Sequence, residues 1–112
     1  MGKSGLGEFE LIVLLAALRL GDERAHTLAI VDEIVERTAR KTTRSAVYVT
    51  LQRLEKKGLV TSWLSEPRAE RGGKRRRHVT VEAAGQSAVR RARAALESLW
   101  QDLEVTAVGG PR

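Results

Sequence analysis

Thr43-Arg44-Ser45-Ala46-Val47-Tyr48-Val49-Thr50-Leu51-Gln52-Arg53-Leu54-Glu55-Lys56-Lys57-Gly58-Leu59-Val60 is the stretch that decides the fold. Val47, Leu51 and Leu54 share one helical face, with Ala46 and Thr50 at its edge, so the spacing predicts a helix from about Thr43 to Lys57. Thr43 suits its N-cap, and Gly58 after Lys56-Lys57 suits its end. Arg44, Ser45, Tyr48, Val49, Gln52, Arg53 and Lys56 lie off the apolar stripe. Taken alone, such a face is either a solvated surface or one shaped for the DNA major groove, which admits an α-helix.

Downstream, Leu59 to Leu64 carries β-branched and aromatic residues, and Arg77 to Val81 alternates weakly. Polar Pro67 to Arg75 between them, with Gly72-Gly73, predicts an antiparallel hairpin with a long tip. The chain has a net charge of +6. Most of it sits here, since Arg68 to Arg77 holds six basic residues against the single acid Glu70. Adjacent glycines let the backbone turn and approach a surface closely, so Arg71, Gly72, Gly73, Lys74, Arg75 and Arg77 suit a sugar-phosphate backbone or a narrow minor groove. Such a run can also be only a soluble loop. Strand alternation sets Arg75 and Arg77 on one face, with Lys74 and Arg76 on the other.

Upstream, a helix is expected from about Gly7 to Leu20, with Leu11, Leu14, Leu15 and Leu18 on one face and Ile12, Val13, Ala16 and Ala17 filling much of the rest. A helix apolar nearly all round is buried nearly all round. A second helix is expected over about Thr27 to Thr38, with Leu28, Ile30, Val31, Ile34 and Val35 inward and Asp32, Glu33, Glu36 and Arg37 outward. The last is expected from about Ala83 to Leu103, where Val89, Ala92, Leu96, Leu99 and Leu103 follow a coiled-coil seam. Neither that seam nor the second side of the first helix has a partner in so small a domain. The simplest cover is a second copy of the chain, with Ile12 and the seam residues in the contact.

The order is three helices, a hairpin and a helix. The expected class is therefore mainly α with a small antiparallel β-hairpin: a winged helix-turn-helix over residues 1–82, a dimerisation helix over 83–104 and a disordered tail over 105–112, with Met1 to Gly5 disordered as well. Without cysteine there is no disulfide or thiolate site. His26 and His78 are far apart in sequence, so a metal site is not expected. One is expected to open a helix and the other to sit in a strand. The longest apolar run, Leu11 to Leu18, is too short to span a bilayer. Glu8 and Glu10 stand where a signal peptide would be positive, so a cytoplasmic protein with no membrane partner is expected. No nucleophile–base pair, metal cluster or phosphate-cradling loop is visible, so neither catalysis nor a cofactor is expected.

Double-stranded DNA is the expected partner. Arg44 and Ser45, near the helix start, are candidates for base readout. Gln52 and Arg53 suit base edges or phosphates. Tyr48 suits a phosphate oxygen or a role capping the core edge. Thr42 and Thr43 add hydroxyl or backbone contacts where the helix begins. Trp100, beside Leu99, is either interface core or a platform for a small apolar or aromatic effector. Trp63 is expected to pack at the hairpin base. A winged helix used for protein–protein contact would not need the basic tip.

Several stretches together resemble the PadR family of bacterial transcriptional regulators. They are Leu6-Gly7-Glu8-Phe9-Glu10, Leu20-Gly21-Asp22-Glu23, Ala46 to Val60 and Glu70-Arg71-Gly72-Gly73-Lys74-Arg75-Arg76. The resemblance covers nearly the whole chain and is to the short subfamily with a single C-terminal helix. It implies a homodimeric winged-helix regulator, usually a repressor, acting on an inverted-repeat operator and often released by a small molecule. The family's recognition-helix tyrosine maps onto Tyr48 and its wing onto Arg71 to Arg77. MarR-like regulators are the neighbouring alternative, but they usually carry further dimerisation helices. Three positions depart from the family pattern: His26-Thr27-Leu28, His78-Val79 and Val81-Glu82-Ala83-Ala84-Gly85. They alter the aromatic content around any effector pocket, so phenolic inducers are not implied.

Overall fold

The computed structural model describes residues 5–66 and 75–105. These form α1 (Glu8–Leu20), α2 (Thr27–Thr38), α3 (Arg44–Lys56), β1 (Val60–Leu64), β2 (Arg77–Val81) and α4 (Ala83–Trp100). The expected class and order are found, with most bounds within a residue of those read from the sequence. The ends expected to be disordered, apart from Gly5 and Val105, and the wing-tip residues Arg71, Gly72, Gly73 and Lys74 fall outside the described residues.

α1 is the central helix, in contact with α2, α3, α4 and β2. Its start is fixed by Glu10, whose Oε1 accepts the Gly7 N–H at 2.8 Å. Its core side is Val13, Leu14, Ala16, Ala17 and Leu20, all buried. This corrects the leucine face read from the sequence, because Leu15 and Leu18 are 42% and 39% exposed and Leu11 is half-buried. The small Ala16 and Ala17 let neighbouring elements approach closely, so the alanine side faces in. Leucine spacing alone cannot choose between two apolar stripes. Ile12, assigned to a dimer contact, is half-buried and packs against this chain's own core.

In α2 only Ile30 and Ile34 are fully buried, while Leu28 and Val35 are exposed and Val31 packs on the core's edge. Glu33, expected outward, is half-buried beneath Arg19 and Arg37, at 3.2 and 2.8 Å. The helix opens on His26, whose Nδ1 accepts the Ala29 N–H at 3.3 Å. It closes on Ala39, held at φ +60° and ψ 13°. That left-handed turn, with Thr38 Oγ1 accepting the Arg40 N–H, redirects the chain into α3. Thr43 Oγ1 then accepts the Ala46 N–H at 3.1 Å, as its N-cap assignment requires. Val47, Thr50, Leu51 and Leu54 anchor α3, and Gly58 at φ +77° ends it.

β1 and β2 pair antiparallel, with Val60 opposite Val81 and Leu64 opposite Arg77. The α1–α2 loop adds to the edge of β2: Val79 N–H donates to Ala25 O at 2.9 Å, and His26 bridges His78. The two histidines, distant in sequence, therefore meet, with ring centroids 5.5 Å apart. Trp63 stacks on His78 at 4.5 Å, which is the hairpin-base packing expected of it. α4 starts against this sheet. A Cβ on Gly85 would collide with the Leu59 carbonyl and lie 2.8 Å from Val81 Cγ1. The helix stops at Trp100, and Asp102 sits at φ +60°, so Leu103 lies beyond the helix that was expected to carry it on the seam.

Candidate nucleic-acid interface

Successive residues of an α-helix turn by about 100°. With Val47, Thr50, Leu51 and Leu54 inward, the outward pole of α3 falls on Ser45, Val49, Gln52 and Lys56, all exposed. Tyr48 and Arg53 flank that pole on opposite sides. Tyr48 is 45% exposed and shares a cleft of about 230 Å³ with Gln52, Glu55, Ser62 and Arg77. Arg53 shares a shallower cleft, about 200 Å³, with Val49, Gln52 and Lys56. Arg44 is exposed at the start of the helix, Thr42 is half-buried before it, and Thr43 is exposed with its hydroxyl oxygen engaged as the cap.

The hairpin base brings cations to both sides of the sheet, as strand alternation requires. Arg77 turns toward α3, its Nη1 donating to Ser62 Oγ at 3.0 Å. The Ser62 hydroxyl in turn faces both carboxylate oxygens of Glu55, at 3.2 and 3.3 Å. Arg76 turns the other way, with Nη1 2.7 Å from His26 Nε2. Arg75 is exposed. Of the residues singled out in the sequence, the structure thus gathers Tyr48, Gln52 and Arg77 around one cleft, with Ser45 on the same outer side of α3. Glu55 and Ser62 were missed. Their signal lies in the pairing register, which sets Ser62 opposite Val79, diagonal to Arg77 on the face toward α3.

One ion pair fixes the posture of α3 from behind. Lys57 Nζ lies 2.9 and 3.0 Å from the two Glu10 carboxylate oxygens, tying the end of α3 to the first turn of α1. Burial acts to raise the Glu10 pKa. The Gly7 N–H, the Lys57 ammonium and the charge of Arg53 outweigh burial and hold the group below its ordinary value.

α4 presents a different surface. Val89 and Ala92 are half-buried, whereas Leu96, Leu99 and Trp100 are 50%, 75% and 56% exposed, and Leu103 is exposed beyond the helix end. Among the described residues, no three His, Cys, Asp or Glu side chains are grouped to hold a metal ion. No described helix is long and apolar enough to cross a membrane.

Three helices with the third presented outward, followed by a two-stranded hairpin whose basic base flanks that helix, define a winged helix-turn-helix. The family model described as transcriptional regulator PadR-like matches residues 14–91. The chain belongs to that family and is a transcriptional regulator rather than an enzyme. Solved structures share the fold. A PadR family transcription regulator from Clostridium difficile aligns with a TM-score of 0.62 at 18% identity, over 80% of this chain and 88% of that one. A PadR family regulator from Eggerthella lenta aligns at 0.62 and 23%, over 82% and 79%. F93 from STIV, a winged-helix DNA-binding protein, aligns at 0.64 and 12%, over 84% and 92%. No curated relative matches the chain.

Proposed function

We propose that this regulator binds double-stranded DNA sequence-specifically as a homodimer, with α3 in the major groove and the hairpin along the adjacent backbone. The observation that carries this reading is the cleft in which Tyr48 and Gln52 of α3 face Arg77 of β2. A side chain suited to base edges and a cation suited to phosphate share one continuous surface, which supports this reading. Ser45 and Gln52 are assigned to base edges, with Arg44 beside them at the helix start. Tyr48, Arg53, Arg75 and Arg77 are assigned to phosphates, together with the Thr42–Thr43 entry and the wing tip Arg71 to Lys74.

The dimer rests on the exposed leucines of α1 and α4, too many for one domain to hide. Two-fold symmetry would set paired α3 helices in successive major grooves, about 34–36 Å apart, on an inverted repeat. The protein is assigned a repressor's role, in which occupying an operator that overlaps a promoter keeps polymerase off. Trp100, next to that contact, is assigned to a flat apolar effector whose binding would alter the spacing of the two α3 helices. Selection of bound duplexes from a random pool, followed by affinity against salt, tests the reading. An enriched inverted repeat is expected. No binding even at low salt overturns it and favours a protein-contact role.

A further inference from the structure

We propose that Val49 and Gln52 together make each half-site carry an adenine read by Gln52 next to a thymine whose methyl group packs on Val49. This rests on the DNA-binding reading above and goes beyond it by naming the bases.

Val49 is 45% exposed in the middle of α3 and belongs neither to the core nor to the half-buried residues packed around it. A β-branched residue in mid-helix costs a few tenths of a kcal/mol relative to alanine, and here no packing in the core offsets that cost. Ser45, Gln52, Arg53 and Lys56 surround it within two turns, with the small Ala46 at its edge, so it is the one large apolar side chain at the outward pole of a polar face. The thymine C5-methyl is the one apolar group that base edges present in the major groove. Gln52 lines the same shallow cleft, and its amide makes no hydrogen bond among the described residues. A glutamine amide matches adenine, whose N6 donates and N7 accepts. Positions three apart on a helix are surface neighbours, and residues at that spacing read successive base pairs in other groove-bound helices. The pair therefore selects a step of two A·T pairs, with Ser45 and Lys56 left to read or hold what lies on either side.

The test starts from the duplex selected out of a random pool. Each thymine of the half-site is replaced in turn by uracil, which removes only the methyl group. For the wild-type protein, one thymine per half-site is expected to weaken binding about fourfold when replaced, the worth of one buried methyl. Val49→Ala is expected to lose that sensitivity while keeping its salt dependence. Gln52→Ala is expected to lose discrimination at the neighbouring adenine, where the wild type should prefer adenine by roughly five- to 150-fold. A wild-type protein that binds its selected site and ignores every uracil overturns the proposal, and that result does not depend on how any variant folds. So does a half-site of G·C pairs alone, or a uracil effect unchanged in Val49→Ala. Failure to bind any duplex at low salt would instead remove the DNA-binding reading on which the proposal rests.

Discussion

α3 and α4 are both amphipathic, yet one hides its apolar face within the chain and the other does not. α3 buries four side chains and shows the outside a mainly polar face. α4, five residues longer, fully buries only Gly85 and Ala88, and its second half exposes Leu96, Leu99 and Trp100. Apolar area left in water is an unused driving force of about 25 cal/mol per Å². A helix that keeps polar groups outward leaves little of that force unused, whereas one that keeps leucines outward leaves much of it. The two helices therefore differ in surface chemistry: donors outward at α3, suited to a polyanion, and leucines outward at α4 and on the outer side of α1, the surface assigned above to a second copy.

The sharpest way to break this comparison is to charge the α4 seam. Leu96→Glu with Leu99→Glu is expected to weaken self-association by about four decades or more, since each buried leucine is worth roughly 1.5–3 kcal/mol and a two-fold contact holds both leucines of each chain. The helices of the monomer should remain, because neither side chain reaches the core. Sedimentation across a concentration series, with circular dichroism alongside, reads both quantities. A wild-type chain already monomeric at micromolar concentration would show that the exposed leucines serve something other than a second copy.

The inner end of α4 makes the opposite claim. Gly85 is where this helix meets the sheet, with the Leu59 carbonyl and Val81 Cγ1 in the space a side chain would need. Gly85→Ala is expected to destabilise the monomer by about 1–3 kcal/mol through forced displacement. It should leave association of the folded chains largely intact. Chemical denaturation separates this variant from the seam variant; a midpoint equal to the wild type would mean that α4 docks more loosely than its contacts require.

At α3 the comparison sharpens through Arg77. Arg75→Ala with Arg77→Ala is expected to weaken binding to all sequences alike, lowering the slope of log affinity against log salt by about 0.9 for each phosphate no longer neutralised. Ser62→Ala removes the hydroxyl that holds Arg77 beside Tyr48, so part of that weakening should appear without removing any charge, and Ser62→Thr should restore it. An unchanged affinity in Ser62→Ala would show that Arg77 finds its place unaided.

Much of this was legible in the residues. Thr43, Gly58 and the Val47–Leu51–Leu54 stripe locate α3 nearly to the residue, because caps and core spacing are local signals. His26 as an N-cap and the β1–β2 hairpin were readable for the same reason. The misreadings share a different cause. Leu15, Leu18, Leu28 and Val35 are as apolar as the buried residues beside them, and only the packing of small Ala16 and Ala17 against neighbouring elements decides which stripe turns in. The Glu55–Ser62–Arg77 chain and the meeting of His26 with His78 depend on strand register and on a loop joining the sheet edge. Both are fixed by contacts between residues distant in sequence.

The smallest effect concerns what holds α3 at its angle. The Glu10 carboxyl is lowered below its ordinary value, against burial, by the Gly7 N–H and by Lys57, so these contacts contribute stability that is fully present above the unfolded-state pKa, 4.5. That contribution is lost as pH falls through the lower folded-state value. Lys57 is 37% exposed, so water screens part of the attraction and the effect is modest. Glu10→Gln should therefore unfold at lower denaturant than the wild type near neutral pH, and the gap should narrow below about pH 4.5. A gap that stays constant down to about pH 3, well below the unfolded-state value, would assign the loss to packing instead of to the charged carboxylate's contacts. In that case α3 would be positioned by its buried face alone, and the contrast with α4 would be stronger: one helix seated wholly by its core, the other with its leucines left on the surface.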